Sequence, residues 1–538
     1  MVGGAHCASA QSRKANRQSP TTIGGASMFK SHSALLAALS VLCILWQAAA
    51  AAGVAHHHYK LIDIGTFPGR SIYNRPVTSN ESTPPEFEQA LNNQGTLIGG
   101  ADTPLENPNS NCYNPFNISS LCYIDQAFVW RNGQLTNLGA LPGGNNSFPY
   151  YLSDNGLIAG GSEIGTNDPV SGLPESHAVL WSNGTINDLG TLGGTLSLAV
   201  GVNDAGQVVG GSLDANGDNR AFLWQSGVMQ DLGTLGGANA FAAYVNNNGQ
   251  IAGVADTSYT ADPNTGSPPQ DPFLWQHGHM TDLGNFGGGT VAIYGLNNRG
   301  EVTGSMTLAG DVIDHAFLWN GARLIDLNVP GGGLGGSWSY PSGLNDAGEV
   351  VGVAALPGDQ TNHAFLWTNG VMKDLGTLHG DPCSGADKIN SRGQVVGASK
   401  STRGGCYEGT SAFLWEDGGP IVDLNTLLSS PSTMLLAEAY WINDAGEITG
   451  RAVPAGCGDD SVCGHAFLLI PCDANHLNIA GCDYSSVDAA SAAALSQQST
   501  AVDAVAADQA ALSPAKMTVR NQTLMTNRYR WWSRTQQR

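Results

Sequence analysis

Short apolar runs alternate with polar turns along this chain, and one order of runs recurs eight times. The best-preserved unit reads AVGVNDAGQVVGGSLDANGDNRAFLWQSGVMQDLGTLGG, Ala199 to Gly237. Its apolar stretches are too short for helices, and Gly, Asn, Asp and Ser bound them, so they read as strands between turns. The spacing predicts strands over Ser197–Val202, Gln207–Ser212, Ala221–Trp224 and Val228–Leu232. Asn203-Asp204-Ala205-Gly206 and Ser226-Gly227 read as tight turns, with Gly taking the left-handed position. Each unit is thus four antiparallel strands joined by two tight hairpins and one longer loop.

The repeat is legible throughout. An Asn-x-x-Gly begins at Asn92, Asn203, Asn246, Asn297, Asn345, Asn390 and Asn443, and Ser153 replaces the Asn once. A Phe-Leu-Trp-like triplet follows, ending at Trp130, Trp181, Trp224, Trp275, Trp319, Trp367 and Trp415, then as Phe467-Leu468-Leu469. A period of about 40 to 50 residues rich in short strands signals a propeller or another stacked array. The first unit is preceded by Tyr59 to Gly69, which matches a lone fourth strand and its crossover. The last unit has three strands, at Ala439–Asn443, Glu447–Arg451 and His465–Ile470, and no fourth. One end supplies what the other lacks. The expectation is an all-β, eight-bladed β-propeller of four-stranded antiparallel blades, closed by Tyr59–Ile64 as an N-terminal outer strand on His465–Ile470. Paired glycines such as Gly236-Gly237 let the chain cross closely to the next blade.

Composition agrees. With 71 Gly, 12% charged and 41% hydrophobic residues, the chain suits a turn-rich β protein and not a disordered one. Net charge is −21. Both ends are basic, leaving 13 basic against 44 acidic residues between them. Such a body repels nucleic acid and anionic membrane, so neither is an expected partner.

Ala34 to Ala55 follows Lys30 as an apolar run ending in small residues, the form of a secretory signal cleaved near Ala52 or Ala55. A retained membrane anchor is the alternative, and Met28 is an alternative start. The expected domains are residues 1–55 as extension and signal, 56–471 as propeller, and 472–538 as a Cys-pair segment and flexible tail. The mature protein is expected to be a secreted, extracellular, periplasmic or cell-surface monomer with no membrane span. Its eight cysteines are expected to pair as neighbours: Cys112–Cys122, Cys383–Cys406, Cys457–Cys463 and Cys472–Cys482. The sequence alone leaves 105 pairings. Zinc is disfavoured because no C-x-x-C occurs.

One tripeptide adds a resemblance. It stands as His315-Ala316-Phe317, His363-Ala364-Phe365 and His465-Ala466-Phe467, with a D-L-G-x-L-G-G at Asp188–Gly194 and Asp231–Gly237. Over Tyr59 to Ile470 the pattern resembles the bacterial HAF-type extracellular repeat proteins, named for that tripeptide. The resemblance implies export and structural repeat residues, and it brings no characterised activity.

Candidate chemistry is sparse. The histidines His177, His315, His363 and His465 begin third strands and read as strand-end hydrogen bonds. The repeated tryptophans read as packing between blades. His56-His57-His58 reads as an exposed, unstructured trio, with metal capture as the rival. Asp214, Asn216 and Asp218 alternate oxygens around Gly217, a pattern that suits calcium, with an ordinary acidic turn as the rival. No other cofactor is expected. No H-E-x-x-H, G-x-S-x-G or P-loop occurs. Ser485 to Ala511 has helical tendency, and Asn521–Arg538 is basic and aromatic. The reading is a non-enzymatic extracellular binding or scaffold module for an unknown ligand, glycan or protein. Alternatives are a polysaccharide-cleaving hydrolase or lyase with its site on the loops, and a purely structural cell-surface protein. Any site is expected on the face carrying the long loops between second and third strands.

Overall fold

A computed structural model describes residues 55–65, 89–108, 123–169, 172–263, 265–329, 331–400, 406, 411–457 and 464–488. Among them every regular element is a strand except one short 3-10 turn, Leu424–Leu427. No helix among them is long and apolar enough to cross a membrane. The signal segment, nearly all of the C-terminal tail, Cys112, Cys122 and Cys463 lie outside the described residues.

Apart from the first, the units fold as the alternation predicts. In the unit of Ala199, the strands run Gly193–Val202, Val208–Asp214, Asn219–Gln225 and Val228–Asp231. They pair antiparallel in sequence order, and the next unit repeats that order over Ala240–Val245, Ile251–Asp256, Gln270–Gln276 and His279–Asp282. In the first unit, Leu97–Glu106, Tyr123–Arg131 and Gln134–Asn137 form the sheet, and Leu91 adds an isolated bridge to Leu97. The last sheet orders Met434–Ile442, Ile448–Pro454, His465–Pro471 and then Tyr59–Asp63. The register runs from Tyr59 opposite Pro471 to Asp63 opposite Phe467.

Faces of successive sheets share their cores. The Phe of the tripeptide is the deepest residue: Phe128, Phe222, Phe273, Phe317, Phe365, Phe413 and Phe467 are all at 0% exposure. The tryptophans sit one step shallower. Trp181 is buried and its Nε1 donates to the Leu138 carbonyl of the preceding unit at 3.2 Å, whereas Trp224 and Trp319 are only partly buried. The Phe ring needs an empty place beneath it. At Gly304, a Cβ would lie 2.1 Å from the Ala292 carbonyl oxygen and 2.7 Å from the Phe317 ring. The crossover glycines also allow close approach, since a Cβ at Gly237 would stand 2.4 Å from Asp256.

The histidine trio departs from expectation. Ala55–His57 is a strand pairing with Ser486–Asp488, so Ser486–Asp488 is extended rather than helical. His56 is at 0% exposure and its Nδ1 lies 2.7 Å from Glu416 Oε1. Alternation over the three residues of Ala55–His57 could not reveal a partner strand as distant as Ser486–Asp488. The Cys472 amide donates to the His58 carbonyl at 2.8 Å. Disulfides join Cys383 to Cys406 and Cys472 to Cys482. Cys457 is also disulfide-bonded.

Candidate functional site

The Asn-x-x-Gly turns do more than reverse the chain. From Asn92, Asn203, Asn246, Asn297, Asn345 and Asn390 the Oδ1 accepts from backbone amides two and four residues on, as Asn297 does from Arg299 and Glu301, and Asn443 Oδ1 accepts from the amide four on. The Asn Nδ2 then donates to the backbone of the next unit's turn. Asn203, Asn246, Asn297, Asn345 and Asn390 reach the carbonyls of Asn246, Asn297, Asn345, Asn390 and Asn443 at 2.9–3.1 Å. Asn443 donates to the Asn92 carbonyl at 2.9 Å, and Asn92 to that of Ser153 at 3.1 Å. Where Ser153 has no amide to offer, Asn155 Nδ2 reaches the Asp204 carbonyl at 2.7 Å. Turn chemistry explains Oδ1 but not Nδ2, which is the part single-unit reasoning misses. Asn297→Asp keeps the acceptor, removes the donor and sets a second carboxylate against Glu301. It is expected to destabilise by about 1–3 kcal/mol in urea denaturation, as a broken buried hydrogen bond does. A wild-type midpoint would show that the link contributes nothing.

The opposite face carries the crossovers. The recurrent histidines bond to the Asp of the fourth strand: His177 to Asp188, His315 to Asp326, His363 to Asp374 and His465 to Asp63, at 2.8–3.0 Å. Arg220 takes that role toward Asp231 at 2.9 Å. The same Asp also accepts from the following turn, as Asp188 does from Gly190 N at 2.8 Å. These are the expected strand-end bonds. On this face Asp214 Oδ1 accepts from Asn216 N at 2.8 Å and Asp218 N at 3.1 Å, which makes the Asp214–Asp218 loop a capped turn.

First strands of successive sheets lie against one another. From Ser147–Leu152 through Ser339–Leu344 they are uncharged, but the last two carry Asp387, Lys388 and Glu438. Tyr440 hydrogen-bonds Glu438 through its hydroxyl, and Arg451 Nη2 lies 3.2 Å from Glu438 Oε2. The Lys388 ammonium stands 4.1 Å from the Trp441 ring centroid and donates to the Ser342 carbonyl at 3.3 Å. Burial, then the Glu438 charge, pushes the Asp387 carboxyl up to about 8, against the pull of Lys400 and Lys388. Burial, then Glu438, also raises the Tyr440 hydroxyl well above its ordinary value. Charges breaking an otherwise apolar first-strand pattern were the available sequence signal.

That carboxyl gives a pH dependence. The folded protein keeps the Asp387 proton from about pH 4, where an unfolded carboxyl releases it, to about 8. Its contribution to stability is therefore fully present below about pH 4 and lost as pH rises through about 8. Asp387→Asn is expected to raise the denaturation midpoint at pH 9 and to change it little at pH 4. Equal shifts at both pH values would rule out a buried titrating carboxyl.

A groove of about 450 Å3 opens between Asn219–Gln225 and Gln270–Gln276 on the hairpin face, opposite the long-loop face on which the sequence places any site, because the side chains flanking short turns of neighbouring units leave a gap there. It is lined by Gln207, Gln225, Gln230, Asn247, Asn248, Gln276 and His277 over Leu223 and Trp275. Gln207 Nε2 donates to Gln225 Oε1 at 3.3 Å, and Gln250 Nε2 to Gln276 Oε1 at 2.9 Å. Among the described residues, the amide hydrogens of Gln225 and Gln276, the Gln230 amide and the His277 ring have no hydrogen bond within the protein.

No family model matches the chain. No curated protein matches it either. Among solved structures it is similar to the β-propeller domain of the Trilobed protease from Pyrococcus furiosus, with 9% identity and a TM-score of 0.35 over 65% of this chain and 97% of that one. It is also similar to dipeptidyl peptidase 4 of Porphyromonas gingivalis, with 10% identity and a TM-score of 0.39 over 70% and 58%. TolB from Acinetobacter baumannii matches at 11% identity and a TM-score of 0.27 over 51% and 61%. The protein's own sheets decide its architecture, because units of four antiparallel strands stacked in series are the propeller plan. The fold is a β-propeller. Its hairpin face holds the Asn links and the amide groove, and its crossover face holds the His–Asp pairs.

Proposed function

We propose that this protein is an exported, non-enzymatic binding or scaffold module of the HAF type, built as a closed ring of eight blades. The run of turn-to-turn bonds that ends with Asn443 on Asn92 supports the ring. So does the pairing of Tyr59–Asp63 with His465–Pro471. The observation that carries the binding role is the groove at Gln225, whose uncommitted amide donors face solvent without any carboxylate, Lys or Arg among them. Disulfides Cys383–Cys406 and Cys472–Cys482 support export, as thiols stay oxidised outside the cytosol. A screen of the mature protein against neutral glycans, peptides and metabolites is expected to find saturable binding without turnover. Hydrolysis or elimination of a polysaccharide that Asp387→Asn abolishes would overturn the reading in favour of an enzyme. That second reading draws on Asp387 and Glu438, two carboxyl groups on adjoining first strands.

Calcium at Asp214, Asn216 and Asp218 belongs to the same proposal. The loop has oxygen ligands of the type calcium takes. Calcium is expected to raise the melting temperature by a few degrees, and replacing Asp214 and Asp218 by Ala should abolish the rise. A melting temperature indifferent to calcium in the unaltered protein would remove the site.

A further inference from the structure

The groove at Gln225 has a counterpart that the protein covers with its own chain. Gln225 follows Trp224, which pairs with Val208, and Glu416 follows Trp415, which pairs with Val395. Register therefore sets Glu416 in the place of Gln225, and Gln394 in that of Gln207. Both glutamines make the same bond: Gln207 Nε2 to Gln225 at 3.3 Å, Gln394 Nε2 to Glu416 at 2.6 Å. At the counterpart, however, His56 Nδ1 lies 2.7 Å from Glu416 Oε1. Tyr59, at 2% exposure, packs in one cluster with Leu414 and Val422, the equivalents of Leu223 and Gln230. An extended segment with two ring side chains three residues apart thus covers the counterpart.

We propose that the open groove docks an extended peptide segment of a partner protein, with a ring side chain toward Gln225, as His56 lies toward Glu416. The inference rests on reading the protein as a binding module. Carboxamide donors favour neutral acceptors, which peptide carbonyls and an imidazole nitrogen supply. The lining carries no carboxylate of its own, and the neighbouring Asp204 Oδ2 is taken up by Asn247 Nδ2 at 2.9 Å. With 44 acidic against 23 basic residues the chain repels acidic peptides, so the partner segment is free of acidic residues. Trp275, at 8% exposure, offers little face for stacking a sugar.

The probe is the blocked peptide Ala-His-His-His-Tyr-Lys, titrated calorimetrically into the full chain at neutral pH. One-to-one binding is expected. Gln230→Arg, at an exposed position, should weaken it at least tenfold by filling the groove. Gln225→Glu should tighten it several-fold by recreating the carboxylate of Glu416. Absence of peptide binding, or binding that neither substitution moves, overturns the proposal. If the peptide fails but a neutral glycan binds and Gln230→Arg blocks it, the peptide inference falls while the binding-module reading stands. If neither ligand binds, both fall.

Discussion

Deletion of residues 56–64 is expected to convert a dispersed protein into an aggregating one with a sharply lowered denaturation midpoint. Five residues, Tyr59 to Asp63, cover the outer edge of His465–Pro471. Without them that strand presents unpaired amides and carbonyls beside Leu468 and Leu469, at 1% and 0% exposure in the intact sheet. Exposed apolar edges of this kind recruit other chains. The deletion also strips His56 from Glu416. Burial raises the Glu416 carboxyl, but the hydrogen bonds of His56 and Gln394 outweigh it and hold the group below its ordinary range. Tyr59→Ala separates packing from edge pairing. It empties a site where the ring is 2% exposed and is expected to cost about 3–5 kcal/mol in guanidinium unfolding. Light scattering reports the edge. A deletion variant that stays dispersed and melts like the full chain would show that the outer strand is dispensable.

Phe317→Ala is expected to be as damaging, at about 3–5 kcal/mol. The ring is at 0% exposure and fills the space above Gly304. Trp319→Ala, two residues on, should cost less than half as much, because Trp319 is partly exposed and closes the core rather than filling it. Gly304→Ala tests the same contact from below. Its Cβ would force the Ala292 carbonyl or the Phe317 ring aside, and overpacking of this kind costs about 1–3 kcal/mol or more. Denaturant midpoints of the three variants decide the order. If Trp319→Ala were the worst, the tryptophan would be the keystone of the unit.

The strands were legible because their alternation is local. Turn residues bound each run, and eight repetitions average out the exceptions. The pairing of Tyr59–Asp63 was legible for a different reason: a lone fourth strand at one end answers a missing one at the other. What stayed hidden depends on distance. The Nδ2 bond of Asn297 to the Asn345 carbonyl lies between units, so no single unit contains it. His56 looked like part of a polar trio because its partner, Glu416, is 360 residues away. The groove at Gln225 could not be read, since glutamine at a turn edge carries no signature of a cavity. Asp387 and Glu438 could have been found, had charges been sought within the apolar first-strand pattern rather than in the loops.

The small sheet of Ala55–His57 and Ser486–Asp488 has a mechanical consequence. Ala55 pairs with Asp488, so the chain enters and leaves at the same end of that sheet. Tension between the two ends therefore pulls across the ladder, not along it. Each pair carries the whole load in turn: Ala55–Asp488 first, then His56–Val487, then His57–Ser486. A ladder loaded this way opens like a zip at low force, whereas one loaded along its strands must break all its bonds together. On the C-terminal side the Cys472–Cys482 bond then halts extension, because the residues it encloses cannot lengthen the chain. Beyond it the force meets Tyr59–Asp63 against His465–Pro471, again in the peeling direction. A pulled molecule is thus expected to yield first at its stem, with the stacked sheets still intact.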